Sequence, residues 1–238
     1  MSEKIKAKAL IFDFDNTLVD THSAISGAYS KVVELISSSS GLDSNYLMQQ
    51  LLKAQKEVID DVPLVSRQYD RKAVIKKLNE NLSLNLDEKQ VEKLAQIFYD
   101  FILEKIEYPK ETEEVLKALK LKGKKLGLLT DTDVRPGLKR RRLNSLSFTK
   151  LFDAVLIAGE DIPQRKSSPI PFIELARLLD VEPKETLVIG DRMDADIDNA
   201  KEADMKAVLI DKYLPPNKGV HEPDAIIHEL KQLLEVVD

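Results

Sequence analysis

The sequence predicts an α/β fold, in which an all-helical domain is inserted into a Rossmann-like parallel sheet core. Short apolar runs that end in polar residues recur along the chain, which is typical of strands buried on both faces of a sheet. Helical patterns lie between the later runs, and this alternation favours a parallel sheet with right-handed crossovers. The predicted strands are Ala9–Phe12, Leu126–Leu129, Ala154–Ala158, Leu187–Ile189 and Ala207–Ile210.

The stretch between the first two strands has a different pattern, with helical periodicity throughout and no comparable strand run. We expect residues 1–18 and 106–238 to form the α/β core, and residues 19–105 to form the inserted helical domain. A flexible loop is expected at Ser37–Gly41, because serine and glycine are frequent in loops. The predicted helices are Ala24–Ile36, Tyr46–Ile59, Arg71–Leu82 and Asp87–Ile106.

Composition limits the classes of protein that the chain can belong to. The 238 residues are 43% hydrophobic and 32% charged, which is a globular balance rather than a disordered one. No apolar run is long enough to cross a bilayer, and the lysines near the N-terminus interrupt any signal-peptide pattern. Cysteine is absent, which excludes disulfides and thiolate metal sites. We expect a cytoplasmic protein, a monomer or homodimer, and its net charge of −5 argues against nucleic acid as a partner.

The segment Phe12–Thr17, which reads FDFDNT, is the strongest chemical signal. Side chains two apart in a strand lie on the same face, so Asp13 and Asp15 are expected to converge at the carboxyl end of the first strand. Two close carboxylates repel unless a proton or a cation separates them. A site of oxygen ligands without cysteine suits Mg²⁺. One carboxylate could attack phosphorus while the other transfers protons.

The segment Gly190–Asp196, which reads GDRMDAD, follows another buried strand. Gly190 permits a tight turn, and Asp191 is then expected at the same sheet edge as Asp13, where it can complete the metal site. Asp196 is expected to support the metal's water shell or to hold a neighbouring loop. In isolation, the whole segment could also be a capped helix start.

Two further segments offer groups for binding an anion. Thr130 ends the second strand, where a hydroxyl and backbone N–H groups can hold phosphate oxygens. Lys166 precedes a predicted helix and could neutralise a transferring phosphoryl group. Taken alone, each could instead be an ordinary turn residue or a solvated lysine.

In this order, the four segments resemble the haloacid dehalogenase superfamily of hydrolases. Its motifs match DFDNT at Asp13–Thr17, LLT at Leu128–Thr130, Lys166, and GDRMDAD at Gly190–Asp196. The resemblance spans nearly the whole chain, and the helical insertion after the first motif is similar to that family's helical cap.

The resemblance implies a role for each motif residue. Asp13 would be the nucleophile and Asp15 the general acid and base. Mg²⁺ would be bound by Asp13, Asp191 and the backbone carbonyl of Asp15. Thr130 and Lys166 would bind the phosphoryl group of a small phosphorylated metabolite. The implied reaction is hydrolysis of a phosphate monoester through an aspartyl-phosphate.

Two positions depart from the family's usual pattern. Ser167 stands where the family commonly has a proline directly after its lysine, although Pro169 and Phe172 stand where the pattern has them. Asp131 stands where an asparagine is common, and a carboxylate near a phosphate would repel it unless it points away.

Several other polar residues have less defined expectations. The basic run Lys139–Arg142 is interpreted as a solvated helix face. Arg67 and Arg71 could reach an anionic substrate, although surface ion pairs are the simpler interpretation. His22 follows the first motif closely enough to contact substrate.

Three alternative functions remain open on the sequence. A phosphomutase would use the same catalytic residues, so the sequence does not separate it from a phosphatase. A 2-haloacid dehalogenase in the strict sense would leave Asp15 and Asp191 without a task. A non-catalytic regulatory binding protein would tolerate loss of the motif acids, yet all of them are present.

Overall fold

The computed structural model describes residues 4–60 and 70–238, and the chain divides into two compact units. The first comprises Met1–His22, Glu107–Thr132 and Pro136–Asp238. The second comprises Ser23–Ile106 together with the short segment Asp133–Arg135.

The first unit is built on a parallel sheet, as the alternation of strands and helices predicts. The strand order is β3-β2-β1-β4-β5-β6, so β1 lies between β2 and β4 at the centre, and the described strands pair in parallel. Chain connectivity runs outward in both directions from β1, and such a reversal point is where parallel α/β sheets bind ligands. The strands are β1 (Ala9–Phe12), β2 (Lys125–Asp131), β3 (Ala154–Ala158), β4 (Thr186–Gly190), β5 (Lys206–Ile210) and β6 (Ala225–Ile227).

Helices of the first unit pack on this sheet. Leu175 and Phe172 of α7 are buried in one core cluster with Ile11, Leu129 and Val188 of the central strands. All four residues of β1 are fully buried, as expected for a central strand covered on both faces. The first two residues of α1 (Thr21–Ser40) belong to this unit. Its other helices are α5 (Lys110–Leu121), α6 (Leu138–Asn144), α7 (Ile170–Leu178), α8 (Asp198–Glu202) and α9 (Leu233–Val236).

The second unit is helical in its described part. A capping box starts α4, in which the Asp87 carboxylate accepts from the Gln90 backbone and the Gln90 side chain accepts from the Asp87 backbone. Arg135 also belongs to this unit, where its guanidinium donates to Glu92 at 2.8 Å and lies over the Tyr99 ring. No helix in the described part of the chain is long and apolar enough to cross a bilayer. The helices are α1 (Thr21–Ser40), which begins in the first unit, α2 (Ser44–Asp60), α3 (Arg71–Leu82) and α4 (Glu88–Lys105).

The predicted loop at Ser37–Gly41 is wrong, because α1 continues through Ser40. The serine hydroxyls donate to carbonyls of the preceding turn, Ser38 to Glu34 and Ser40 to Ile36, each at 2.8 Å. Bonds of this kind let serine remain in a helix despite its modest propensity. The helix stops at Gly41, whose positive φ of 73° suits a helix C-terminus.

Candidate active site

Three neighbouring strands carry the predicted site residues at the carboxyl edge of the sheet. Phe12 at the end of β1 is level with Leu128 of β2 and with Ile189 of β4. Asp13 follows β1, Thr130 lies near the end of β2, and Asp191 follows β4. The backbone N–H of Asp13 still donates to Ile189 at 2.8 Å, so the ladder holds this aspartate in place.

Asp13, Asp191 and Asp196 form a buried acidic cluster. One carboxylate oxygen from each lies within 4.8 Å of the others, and the residues are 7%, 8% and 1% exposed. The sequence predicted that Asp13 and Asp191 meet at this edge and assigned Asp196 a supporting place. In the structure, Asp196 is a full member of the cluster.

A short π-helical turn brings Asp196 to the cluster. The turn spans Met193–Ile197, and the Asp196 side chain accepts from the backbone N–H of Arg192 at 3.0 Å. The absence of a side chain at Gly190 makes room for it, since a Cβ there would lie 2.3 Å from the Asp196 carboxyl carbon. The glycine therefore permits both the turn and the close approach of this carboxylate.

Lys166 provides the cation of this cluster. Its ammonium group donates to Asp13 Oδ1 at 2.5 Å and also forms an ion pair with Asp196. The lysine is 4% exposed and lies in the loop between β3 and α7. Its backbone N–H donates to the Asp131 carboxylate at 3.1 Å.

The pKa values of these groups reflect burial and mutual repulsion. Burial, moderated by Lys166 and reinforced by Asp196, raises the pKa of Asp13 to about 7. Burial and the Asp13 charge raise the pKa of Asp191 to about 8. Burial alone would lower the pKa of Lys166, but Asp13 and Asp196 outweigh it and raise that pKa. Full ionisation of the three carboxylates would therefore place more negative charge in the cluster than one lysine neutralises.

The donor set of the cluster fits a hard divalent cation. Asp13 Oδ2 is buried and has no hydrogen-bond partner among the described residues, which leaves its lone pairs available to a metal ion. Three carboxylates in reach of one point suit oxygen-preferring ions such as Mg²⁺ or Ca²⁺.

The Asp15 carboxylate has a different set of partners. Its Oδ1 accepts from the Thr21 hydroxyl at 2.6 Å and from the Arg142 guanidinium at 2.5 Å. Lys139 contacts its other oxygen. Burial would raise the pKa of Asp15, but Arg142 and Lys139 hold it well below its usual range. In this arrangement Asp15 is an ionised carboxylate.

The interpretation of Lys139–Arg142 as a solvated helix face is therefore wrong for two of its four residues. Lys139 and Arg142 are only 2% and 4% exposed, whereas Arg141 is exposed and Arg140 pairs with Asp161 at 2.6 Å. Residues three apart share one face of a helix, so the two buried cations point the same way from α6. This spacing, beside the apolar Leu138 and Leu143, is the signal that would have identified them.

Thr130 and Asp131 lie at the end of β2. Thr130 is 1% exposed, and its hydroxyl makes one long contact, 3.5 Å to the Asp131 carbonyl. The Asp131 carboxylate accepts from the Lys166 backbone and so anchors the lysine loop. This contact gives the unusual acid a structural role.

Among the described residues, the less defined candidates have other contacts. Arg71 is buried in the helical unit and donates to the Tyr29 hydroxyl at 3.0 Å, so the expected surface ion pair is wrong. The exposed His22 donates its backbone N–H to Asn16 at 2.8 Å. Ser167 is exposed. Arg67 lies outside the described residues.

Comparison with known proteins gives the family. A model of haloacid dehalogenase-like hydrolases matches residues 7–204. The chain belongs to this family. It is 30% identical to a glyceraldehyde 3-phosphate phosphatase of Methanopyrus kandleri, over 97% of each chain. It is 27% identical to a phosphoglycolate phosphatase of Aquifex aeolicus, also over 97% of each. A solved 2-haloacid dehalogenase from Pseudomonas syringae is 26% identical, with a TM-score of 0.66 over 97% of each chain.

Proposed function

We propose that this protein is a Mg²⁺-dependent phosphatase that hydrolyses a small phosphate monoester through an aspartyl-phosphate on Asp13. The observation that carries the proposal is the buried cluster of Asp13, Asp191 and Asp196 with Lys166 bonded to Asp13. A nucleophilic carboxylate, a cation site and a fixed ammonium group at one sheet edge are the parts that phosphoryl transfer needs. Relatives named as phosphatases of glyceraldehyde 3-phosphate and phosphoglycolate support the same class of substrate.

The first half-reaction moves the phosphoryl group to the protein. An Asp13 oxygen attacks phosphorus in line, and the bond from phosphorus to the ester oxygen breaks. The contacts with Arg142 and Lys139 keep Asp15 ionised in this structure, so Asp15 must bind a proton before this step. It gives that proton to the departing alkoxide, which leaves as an alcohol. Lys166 and Thr130 bind the phosphoryl oxygens and stabilise their charge.

The second half-reaction returns the enzyme to its starting state. Asp15 removes a proton from water while the water oxygen attacks phosphorus. The acyl-phosphate bond then breaks, inorganic phosphate is released, and Asp15 again carries the proton. Mg²⁺ bound by Asp13, Asp191 and Asp196, with the Asp15 carbonyl as the resemblance implies, would neutralise phosphoryl charge. The same cation would stabilise the ionised forms of Asp13 and Asp191, whose pKa values are raised by burial and by neighbouring carboxylates.

The dehalogenase alternative accounts less well for these residues. Attack on carbon with a halide leaving group needs neither a metal ion nor a proton donor. Asp15 and the Asp191–Asp196 pair would then have no task. A phosphomutase would use the same catalytic residues, so the site does not distinguish it from a phosphatase. Analysis of the reaction products distinguishes the two.

We also propose that residues 19–105 act as a cap that selects the substrate. The catalytic motifs all lie outside this stretch, so differences in specificity must be carried by other residues. Replacing it with the corresponding stretch of a related phosphatase should change the preference among phosphate esters and retain some hydrolysis. An unchanged preference would assign specificity to the core.

A substrate screen tests the main proposal. Purified protein with Mg²⁺ is incubated with glyceraldehyde 3-phosphate, phosphoglycolate, other sugar phosphates, pyrophosphate and 2-chloropropionate, and phosphate or chloride release is measured. We expect phosphate release from at least one monoester, abolished by chelation and by Asp13→Asn. Chloride release without phosphate release would assign the dehalogenase reaction. Full phosphate release after exhaustive chelation would contradict the metal requirement.

A further inference from the structure

The contacts of Asp15 suggest a task for the two buried cations of α6. Three donors occupy both oxygens of its carboxylate: the Thr21 hydroxyl at 2.6 Å, the Arg142 guanidinium at 2.5 Å, and the Lys139 ammonium group. Arg142 also donates to the Thr21 hydroxyl at 3.1 Å. The group to which proton transfer is assigned is therefore held by a small hydrogen-bonded network.

Burial makes this network rigid. The side chains of Lys139 and Arg142 are 3% and 4% exposed, whereas that of Asp15 keeps 27% of its surface accessible. Both cations also lie over the Phe14 ring, at 5.7 Å and 5.3 Å from its centre. A buried charge is costly unless it is paired, so these cations and the carboxylate fix one another.

A carboxylate that transfers protons depends on its orientation. It must present one oxygen within about 3 Å of the leaving oxygen or the attacking water, and small misplacements are expensive in rate. Asp15 has two free side-chain torsions, and it lies in a turn where Asn16 has a positive φ of 59°. The charged hydrogen bonds from α6 fix the direction of the Asp15 carboxylate.

We propose that Lys139 and Arg142 are positioning residues for the reaction, which hold the Asp15 carboxylate in the orientation from which it transfers protons. The inference rests on the proposed phosphatase function and extends it to residues outside the four motifs. A purely structural alternative exists, in which the ion pairs only anchor α6 to the first strand. The two possibilities differ in what happens when Asp15 itself is removed.

The test uses Lys139→Met and Arg142→Met, alone and combined with Asp15→Asn, in the full-length protein with Mg²⁺. The substrates are phenyl phosphate and para-nitrophenyl phosphate, which have similar shapes but differ in how much the leaving group needs a proton. Each single variant should lower kcat for phenyl phosphate by roughly tenfold or more, within the range for general acid–base help. The loss of kcat for para-nitrophenyl phosphate should be smaller, because its leaving group needs a proton less. The same difference is expected for Asp15→Asn.

The double variants decide between positioning and anchoring. If the cations act through Asp15, then Lys139→Met should cause little further loss in an Asp15→Asn background. The proposal would be overturned if Lys139→Met lowered kcat as much in the Asp15→Asn background as in wild type. Equal losses of kcat for phenyl phosphate and para-nitrophenyl phosphate would also overturn it. Lys139→Arg, which keeps the charge, should recover most of the activity. Arg141→Met, an exposed position on the same helix, is the matched control and should behave as wild type.

Two further measurements separate loss of positioning from a folding defect and from failure of the proposed function. If loss of a cation prevents folding, Thr21→Val is used instead, because it removes the third hydrogen bond to Asp15 with little change of shape. It should lower the ratio of kcat for phenyl phosphate to kcat for para-nitrophenyl phosphate, as the Lys139 and Arg142 variants should. An unchanged ratio in Thr21→Val would then count against the proposal. Wild-type hydrolysis of both esters is measured first. If wild type hydrolyses neither and forms no phosphoenzyme, the proposed function fails, and the role for Lys139 and Arg142 fails with it.

Discussion

The Lys166 ammonium group lies 2.5 Å from Asp13 Oδ1, and both side chains are almost fully buried. The lysine comes from the loop after β3 and the aspartate from the end of β1, so the fold joins residues that are 153 positions apart. The ion pair uses one oxygen of Asp13 and leaves Oδ2 without a hydrogen-bond partner among the described residues. One oxygen is thus held by the protein, and the other is available to a metal ion or to phosphorus.

Replacing Lys166 tests whether this ion pair serves catalysis. Lys166→Met keeps the apolar stem and removes the charge, so it should lower kcat/KM for a phosphate ester by roughly a hundredfold or more, as for loss of a preorganised charge in a transition state. Steady-state kinetics with saturating Mg²⁺ measure this. Lys184→Met is the control, because Lys184 is exposed and precedes β4 at the opposite end of the strand. A loss below threefold at Lys166 would assign phosphoryl binding elsewhere.

Stabilisation by Mg²⁺ should increase with pH. The pKa values of Asp13 and Asp191 are raised to about 7 and about 8, above the ordinary value of 3.8. The folded state therefore binds more protons than the unfolded state between about pH 4 and pH 8, and the stability contributed by these groups is lost as pH rises through the folded pKa values. Protons and Mg²⁺ compete for the same oxygens. The rise in Tm caused by Mg²⁺ should be larger at pH 8.5 than at pH 6.

Thermal unfolding with and without Mg²⁺ at both pH values measures this effect. Asp191→Asn removes one of the three clustered carboxylates and should reduce the Mg²⁺-dependent rise in Tm at pH 8.5. Asp180→Asn, an exposed aspartate after α7, is the control and should leave the rise unchanged. An equal rise in Tm at pH 6 and pH 8.5 would show that protons do not compete with the metal at this cluster.

Gly190→Ala should damage the metal site through Asp196. The added Cβ would lie 2.3 Å from the Asp196 carboxyl carbon, so that carboxylate must move away from Asp13 and Asp191. We expect weaker Mg²⁺ affinity, measured by calorimetric titration, together with lower stability. Gly127→Ala is a matched control, because its Cβ would also meet a close contact, 2.9 Å from Leu179, but in the core of the sheet. That variant should lose stability and keep its Mg²⁺ affinity.

The sequence predicted which edge of the sheet carries the acidic cluster, for a physical reason. Each strand is a short apolar run whose end is marked by acids or hydroxyls, and parallel strands bring such ends to one edge. The sequence alone therefore predicts that Asp13 and Asp191 lie together. The full membership of Asp196 in the cluster does not follow from the sequence, since it depends on a π-helical turn and on the space beside Gly190.

Other contacts could not be predicted because they depend on tertiary packing. The composition of the basic run does not separate the buried Lys139 and Arg142 from the exposed Arg141, although their three-residue spacing on the apolar side of α6 could have marked them as buried. Their partner Asp15 lies more than a hundred residues earlier in the chain, beyond the reach of any local pattern. The loop predicted for the serine run at the end of α1 is wrong for a local reason. Hydroxyl bonds to the preceding turn can keep serine helical, and propensity alone does not reveal them.

The last prediction separates the two aspartates of the first motif. Asp13→Asn removes the nucleophile and should abolish both turnover and covalent labelling by a phosphate donor. Asp15→Asn should retain labelling and lower turnover by roughly 10²–10⁴, the usual range for loss of general acid–base help. Its phosphoenzyme should accumulate, because the attacking water has lost its base. Acid-quenched samples incubated with a labelled phosphate ester, followed by peptide mapping, measure both effects.

Asp133 offers a control for this pair of variants, since it is a partly buried aspartate of the second unit and lies outside the motifs. Asp133→Asn should leave both labelling at Asp13 and turnover close to wild type. Beryllium fluoride, which mimics an acyl-phosphate, should bind wild type and Asp15→Asn in the presence of Mg²⁺, but not Asp13→Asn. If the label were found on a residue other than Asp13, that residue would be assigned as the nucleophile. Retained turnover in Asp13→Asn would exclude the covalent route, because that route requires a bond between the Asp13 carboxylate and phosphorus.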